Sequence, residues 1–225
     1  MPVLTSGQQE RKSKQRKIRN SEYYDMEGTF DRLYAESKKD KTFNHLMEII
    51  ESEENIKLAY RTIKKNTGSD TSGVDKRTIA DLAKLSEEEY VRLIRKQFSN
   101  YHPRPVRRVD IPKPNGKTRP LGIPTIVDRI VQQCILQVME PICEAKFSEN
   151  SNGFRPNRSA ETAIAQCMRL IQVQHLYHVV DLDIKGFFDN ISHTKLIRQI
   201  WALGIRDKKL LCIIKAVSYT HLRAH

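Results

Sequence analysis

A chain of 225 residues, 39% hydrophobic and 29% charged, can close a sizeable core, which excludes a disulfide-stapled miniature and a wholly disordered polymer. No apolar run reaches the ~18 residues needed to cross a bilayer, and the N-terminus lacks the apolar core of a secretory signal, so the sequence reads as intracellular and without a membrane partner. The net charge of +12 is concentrated: residues 1–20 hold six Lys or Arg against one Glu, residues 101–120 hold six against one Asp, and these forty residues supply +10 of it. Such clustering suits a phosphate-rich partner, because neutralising a polyanion releases its counterions; a solvated face and a mobile tail are the plainer reading of the same charge.

Residues 1–20 read as a basic flexible arm that orders only on binding. From Phe30 onward apolar residues recur at three and four, first Phe43, Leu46, Met47 and Ile50, then Ile56, Ala59, Tyr60 and Ile63, which predicts helices. The Gly, Ser, Thr and Asp of residues 66–75 predict a loop. Ser86 and Glu89 form a capping box ahead of a helix with the stripe Tyr90, Leu93, Ile94 and Phe98.

Residues 101–125, YHPRPVRRVDIPKPNGKTRPLGIPT, carry repeated prolines that rule out a helix. Val106, Val109 and Ile111 predict one strand, Pro-Asn-Gly a turn and residues 118–123 the return strand, giving a basic β-hairpin. A long helix should start at Thr125 with Asp128 three residues on, bury Ile130, Val131, Cys134, Ile135, Val138, Met139 and Ile142, and kink or restart at Pro141. The loop NSNGFRPNRS leads to a helix capped by Ser159 with Ala163, Ile164, Cys167, Leu170 and Ile171 inward. Residues 177–184 alternate as a strand, with Val180, Leu182 and Ile184 on one face and Val179, Asp181 and Asp183 on the other. Ser192 caps a helix with the stripe Leu196, Ile197, Ile200 and Trp201, Gly204 ends it, and Asp207 caps the last helix. No repeat of 20 to 50 residues is visible.

The four cysteines, Cys134, Cys143, Cys167 and Cys212, lack zinc spacing and read as reduced core thiols, and His175 and His178 are assigned no role. Two ionised carboxylates on one face of a core strand require metal, arginine or water. A divalent cation is the economical answer where phosphates are also handled, but Asp-x-Asp alone fits a capped or salt-bridged pair as well as a metal site.

Three blocks in order, IPKPNGKTRPLGIPTIVDRIVQ, NSNGFRPNRSAETAI and VVDLDIKGFFDNISHTKL, resemble the first core motifs of the reverse transcriptases encoded by group II introns, the intron maturases. The resemblance covers roughly residues 20–217. It implies an α+β, right-hand polymerase fold: a helix-rich fingers region with its N-terminal extension over 21–176, including the basic β-hairpin, and a partial palm with a small antiparallel sheet over 177–217. It implies RNA-directed DNA polymerisation, in which a primer 3′ hydroxyl attacks a dNTP on an RNA template with the help of two Mg²⁺ ions. Asp183 is then the catalytic metal-binding aspartate and the carbonyl of Ile184 a second ligand, while Asp181 and Asp189 are supporting residues. By the same resemblance Arg107, Lys113 and Arg119 close on the triphosphate and Phe188 lies under its sugar, excluding a 2′ hydroxyl. Arg108 and Lys117 meet template backbone. Arg155 and Arg158 sit before a helix N-terminus, where guanidinium groups and free amides together suit a template or primer phosphate; loop arginines in water are the plainer reading. The implied partners are group II intron RNA, the RNA template and the DNA primer, in a ribonucleoprotein of the bacterial cytoplasm; a homodimer is left open.

The family's aromatic-x-Asp-Asp turn is absent from the sequence, so the polypeptide is expected to be an incomplete polymerase, inactive alone. The ending VSYTHLRAH looks like adapter read-through, which makes residues 218–225 an expected non-native tail. Two rival readings follow: a non-catalytic RNA-binding splicing cofactor, which needs no further carboxylates, and another bacterial reverse transcriptase, retron or CRISPR-associated. A glycosyltransferase using Asp-x-Asp as its metal clamp leaves the basic hairpin unexplained.

Overall fold

A computed structural model describes residues 24–112, 116, 118–184, 186–187 and 190–221, without the side chains of Arg119 and His221. Five helices precede the hairpin: α1 (Glu27–Lys38), α2 (Leu46–Ile50), α3 (Glu53–Lys65), α4 (Ile79–Leu82) and α5 (Glu87–Ser99). Three of these starts are written locally. Ser52 accepts from the Asn55 N–H, and Ser86 and Glu89 cap each other's ends as expected. A second capping box, Thr78 with Asp81, starts the short α4.

Strands β1 (Arg107–Pro112) and β2 (Thr118–Ile123) form the expected antiparallel hairpin, in register from Arg107 opposite Ile123 to Pro112 opposite Thr118. Gly116 in its turn has φ +76, a conformation that a side chain disfavours. Directly after β2 comes α6 (Ile126–Glu144), the spine of the molecule, packed against α1, α2, α3 and α5. Ile126, Ile130, Val131, Cys134, Val138 and Ile142 are fully buried along it, each aliphatic side chain stabilising by roughly 1.5–3 kcal/mol in area terms. The helix runs unbroken through Pro141, because the missing N–H falls in its last turn, where little ladder remains to break.

Buried polar groups along α6 are paired. The Asn55 amide donates to Ile50 O (2.9 Å) and Cys134 O (3.1 Å), Gln137 Nε2 donates to Asn55 O (2.7 Å), and Ser37 Oγ donates to Ile142 O (2.8 Å). The chain ends in α7 (Ala160–Gln172), α8 (His193–Ala202) and α9 (Lys208–His221). From the α8–α9 region, Ile200, Ile205, Leu210, Leu211 and Ile213 join the same core as the N-terminal helices. Asp207 caps α9 through Leu210 N (3.1 Å), as expected, and its other oxygen accepts from Met47 N (3.0 Å) at the start of α2. One carboxylate thus ties two helix ends far apart in sequence.

The expected strand over 177–184 does not form. The segment is irregular and exposed, with Val180 at 79%, Leu182 at 87% and Ile184 at 67% exposure. A strand satisfies its backbone only against a neighbour, and among the described residues the hairpin is the only sheet, so the small palm sheet is not among them either. The inward stripe assigned to α7 is also overturned: none of its residues is buried, and Ile164 is 60% exposed. Its apolar periodicity is real, but no described element covers it. Trp201 is exposed rather than part of the core. The cysteines are free thiols, yet only Cys134 is buried, Cys143 is half-buried, and Cys167 and Cys212 face solvent.

Candidate nucleic-acid interface

The hairpin is mounted on the first turn of α6. Asp128, buried, accepts from three donors: Thr125 Oγ1 at 2.7 Å, Tyr101 OH at 2.9 Å and the Arg104 N–H at 3.3 Å. It therefore fixes the incoming segment at residues 101–104 as well as its own helix start. The same environment drives the Tyr101 phenol well above its ordinary pKa, first through burial and then through the Asp128 charge.

Arg129, the next residue, holds the other flank. Its Nε donates to Pro124 O (3.1 Å), Nη1 to Gly68 O (2.8 Å) and Nη2 to Thr71 O (2.5 Å). Arg107, at the start of β1, donates from Nε to Ser72 O at 2.9 Å, one residue further along the same loop. Two arginines thus clasp three carbonyls of the 68–72 segment. Burial, and next the charge of Arg107, push the Arg129 pKa down, with Asp75 opposing. Gly73 completes the joint: a Cβ there would stand 2.7 Å from Thr125 Cα and 2.9 Å from Pro124 O, so the loop can lie against the α6 start only as glycine.

Along β1 the outward positions are exposed, Arg108 among them, while Arg107 is half-buried on the loop side. The Nη groups of Arg107 meet no hydrogen-bond partner among the described residues. The register sets Arg119 opposite Ile111 and Arg107 opposite Ile123, so the two arginines occupy ribbon positions of the same parity. Lys113, Lys117, Phe188 and Asp189 lie outside the described residues, as does the side chain of Arg119.

The motif arginines after α6 differ from one another. Arg155 is turned inward: Nε meets both Glu144 oxygens at 3.0 Å, Nη2 meets Oε1 at 2.5 Å, and Nη1 donates to Ser148 O and Ser151 O. This fork braces residues 148–155 against the end of α6 and leaves little of its donor capacity for a phosphate. Arg158 is half-buried, and its guanidinium has no hydrogen bond or ion pair among the described residues. Beside this brace a cavity of about 730 Å³ opens between α6, the 147–156 loop and α9, lined by Leu136, Met139, Phe147, Phe154 and Val217 with Glu140 at its wall.

Asp181 and Asp183 sit on the exposed segment, so neither is the buried carboxylate on a core strand that the sequence leads us to expect. A carboxylate and the Ile184 carbonyl are the hard oxygen donors that magnesium takes, but among the described residues no three acidic, His or Cys groups come together. In type the donors fit; in number they do not close a metal site.

Sequence reasoning missed Arg129 and saw Asp128 only as a helix-start residue. A signal existed: a cation in the first turn of a helix opposes the helix dipole, so Arg129 needs a reason to be there, and the loop carbonyls supply it.

The model of the family described as reverse transcriptase (RNA-dependent DNA polymerase) matches residues 111–223. The group II intron-encoded protein LtrA of Lactococcus lactis subsp. cremoris is 36% identical over 78% of this chain and 28% of its own length. Protein YkfC of Escherichia coli K12 is 35% identical over 79% of this chain and 48% of its own, and nuclear intron maturase 2, mitochondrial, of Arabidopsis thaliana is 34% identical over 41% and 12%. The chain therefore spans less than half the length of these relatives. With the family model covering half of its residues, the chain belongs to the reverse transcriptase (RNA-dependent DNA polymerase) family.

Proposed function

We propose that this chain is the fingers and partial palm of an RNA-directed DNA polymerase and maturase encoded by a group II intron. In this reading Arg107, Lys113 and Arg119 grip the triphosphate of an incoming dNTP, Arg108 and Lys117 follow the template backbone, and Arg158 meets a nucleic-acid phosphate, while Arg155 serves mainly to shape its loop. Asp183 and the Ile184 carbonyl are ligands toward Mg²⁺, whose chemistry when bound is to activate the primer hydroxyl and neutralise the leaving pyrophosphate. Phe188 lies against the sugar. The apolar face of α7 and the 177–184 segment are where further palm structure packs, and the protein works beside intron RNA in the bacterial cytoplasm.

The observation that carries this reading is the mounting of Arg107: a half-buried guanidinium held through Nε at the base of a basic ribbon, in a chain of this family. Fluorescence anisotropy with an RNA-template and DNA-primer hybrid, over a range of salt, tests it. Log Kd should change linearly with log salt, by roughly 0.7–0.9 per phosphate contacted, and Arg108→Ala should lower that slope by about one contact. A flat salt response contradicts the proposal.

One observation favours a narrower second reading, an RNA-binding splicing cofactor: the basic surface is in place while the described residues gather no carboxylate cluster. Competition separates the two. Structured intron RNA that displaces the hybrid at much lower concentration than the hybrid displaces it supports the cofactor reading.

A further inference from the structure

We propose that Arg129 and Gly73 act as positioning residues for Arg107, setting the 68–72 loop so that Ser72 O holds the Arg107 Nε and presents its two Nη groups to a triphosphate. The inference rests on Arg107 being a triphosphate ligand, as proposed above.

The Arg107 guanidinium is anchored to the body by one hydrogen bond among the described residues, from Nε to Ser72 O. A guanidinium held at Nε keeps four N–H donors in a fixed fork, the geometry suited to bidentate phosphate binding. The aim of that fork depends on where Ser72 O stands. Ser72 lies between two fixed points. On one side, Arg129 pins Gly68 O and Thr71 O, while its own Nε is tied to Pro124 O at the foot of β2. On the other, Gly73 is pressed on the backbone of Pro124 and Thr125 with no room for a Cβ. The loop, the foot of the hairpin and the start of α6 are thereby locked together, and Arg107 reads out that lock. Arg129 does not need to touch the nucleotide. Its charge alone does not explain its place, because three of its donors converge on backbone carbonyls and none on a carboxylate.

Two substitutions disturb the lock without removing a charge. Arg129→Lys keeps the cation but cannot reach three carbonyls at once. Gly73→Ala alters no charged or polar side chain, yet its methyl group forces the loop off Thr125. The probe is inorganic tripolyphosphate, titrated calorimetrically into the 225-residue chain, with Arg107→Ala as the reference.

Arg107→Ala should weaken binding by roughly tenfold, the worth of a charge-assisted hydrogen bond. R129K and G73A should each weaken it by about threefold or more, and neither should weaken it further in the R107A background, since coupled residues are non-additive. In the unliganded chain, the Arg107 Nε–H should exchange slowly by NMR and faster in R129K and G73A. Loss in R107A with undiminished, additive losses from R129K and G73A overturns the positioning role and leaves the triphosphate role standing. Unchanged binding in R107A overturns the triphosphate role itself, and the inference with it. Should G73A fail to fold, R129K carries the cycle, and rapid Nε–H exchange in the unsubstituted chain overturns the inference without any variant.

Discussion

Replacing Asp128 tests how the hairpin is tied to the body. Asp128→Ala removes an acceptor that serves Thr125 Oγ1, Tyr101 OH and the Arg104 N–H from a site at 3% exposure. Each buried donor left without a partner costs roughly 1–3 kcal/mol. The two hydroxyls are deeply placed and the Arg104 amide only partly so, which puts the expected loss at about 3–5 kcal/mol. A domain of this size holds only about 5–15 kcal/mol in total, so the variant should sit close to unfolding at room temperature. Asp128→Asn is the control. Its carbonyl can take the place of the oxygen facing Thr125 and Arg104, its amide can face Tyr101, and that hydroxyl can turn to accept. The expected cost is then only about 1–2 kcal/mol, for the lost charge assistance. Urea unfolding followed by circular dichroism, with unchanged m values, measures both. A loss below about 1 kcal/mol in D128A would refute the view that this carboxylate is a buried acceptor hub.

Three further outcomes are expected. Gly204 has φ +99, and a Cβ there would stand 2.9 Å from Lys41 O, beside the bridge in which Phe43 N donates to Gly204 O at 2.8 Å. Gly204→Ala should therefore cost about 2 kcal/mol or more in the same urea assay, and a neutral result would contradict the backbone geometry. Glu89 and Asp81 are held below the ordinary carboxylate range, each first by the N–H of the residue it caps, Ser86 and Thr78. A depressed folded pKa gives stability that is present above the unfolded carboxylate value and lost as pH falls through the folded one. Glu89→Gln should flatten the acid side of the stability profile and leave its neutral side parallel; an unaltered acid limb counts against the capping box. Phe188→Ala, placed in a polymerase-competent chain, should admit ribonucleotides in primer extension, and unchanged preference for deoxyribose would remove Phe188 from the sugar site.

What the sequence made legible was local. Ser86 with Glu89, Thr125 with Asp128, Ser159, Ser192 and Asp207 sit within three residues of the amides they satisfy, so each helix start could be read from a few letters. The hairpin was legible for the same reason, since its turn and both strands lie within a short stretch. What failed was non-local. Residues 177–184 alternate correctly, but alternation sets only which face each side chain takes; forming a strand needs a neighbouring strand, and none is present among the described residues. The stripe of α7 likewise has the period of a buried helix without anything described to bury it. The Arg155 fork meets Glu144, eleven residues earlier, a contact that no local pattern shows. Arg129 was invisible because its partners, Gly68 O and Thr71 O, lie some sixty residues away. The family could still be read, since its motifs are runs of sequence rather than contacts.

The central claim is that the basic ribbon on α6 grips a nucleotide's phosphates. A deoxynucleoside triphosphate carrying a photoreactive group on its γ-phosphate, cross-linked to the chain and mapped by mass spectrometry, asks this directly. Label should fall within residues 101–125, be displaced by unmodified triphosphate and fade in Arg107→Ala. Label spread over the helices away from the ribbon, or insensitive to that substitution, would contradict the account.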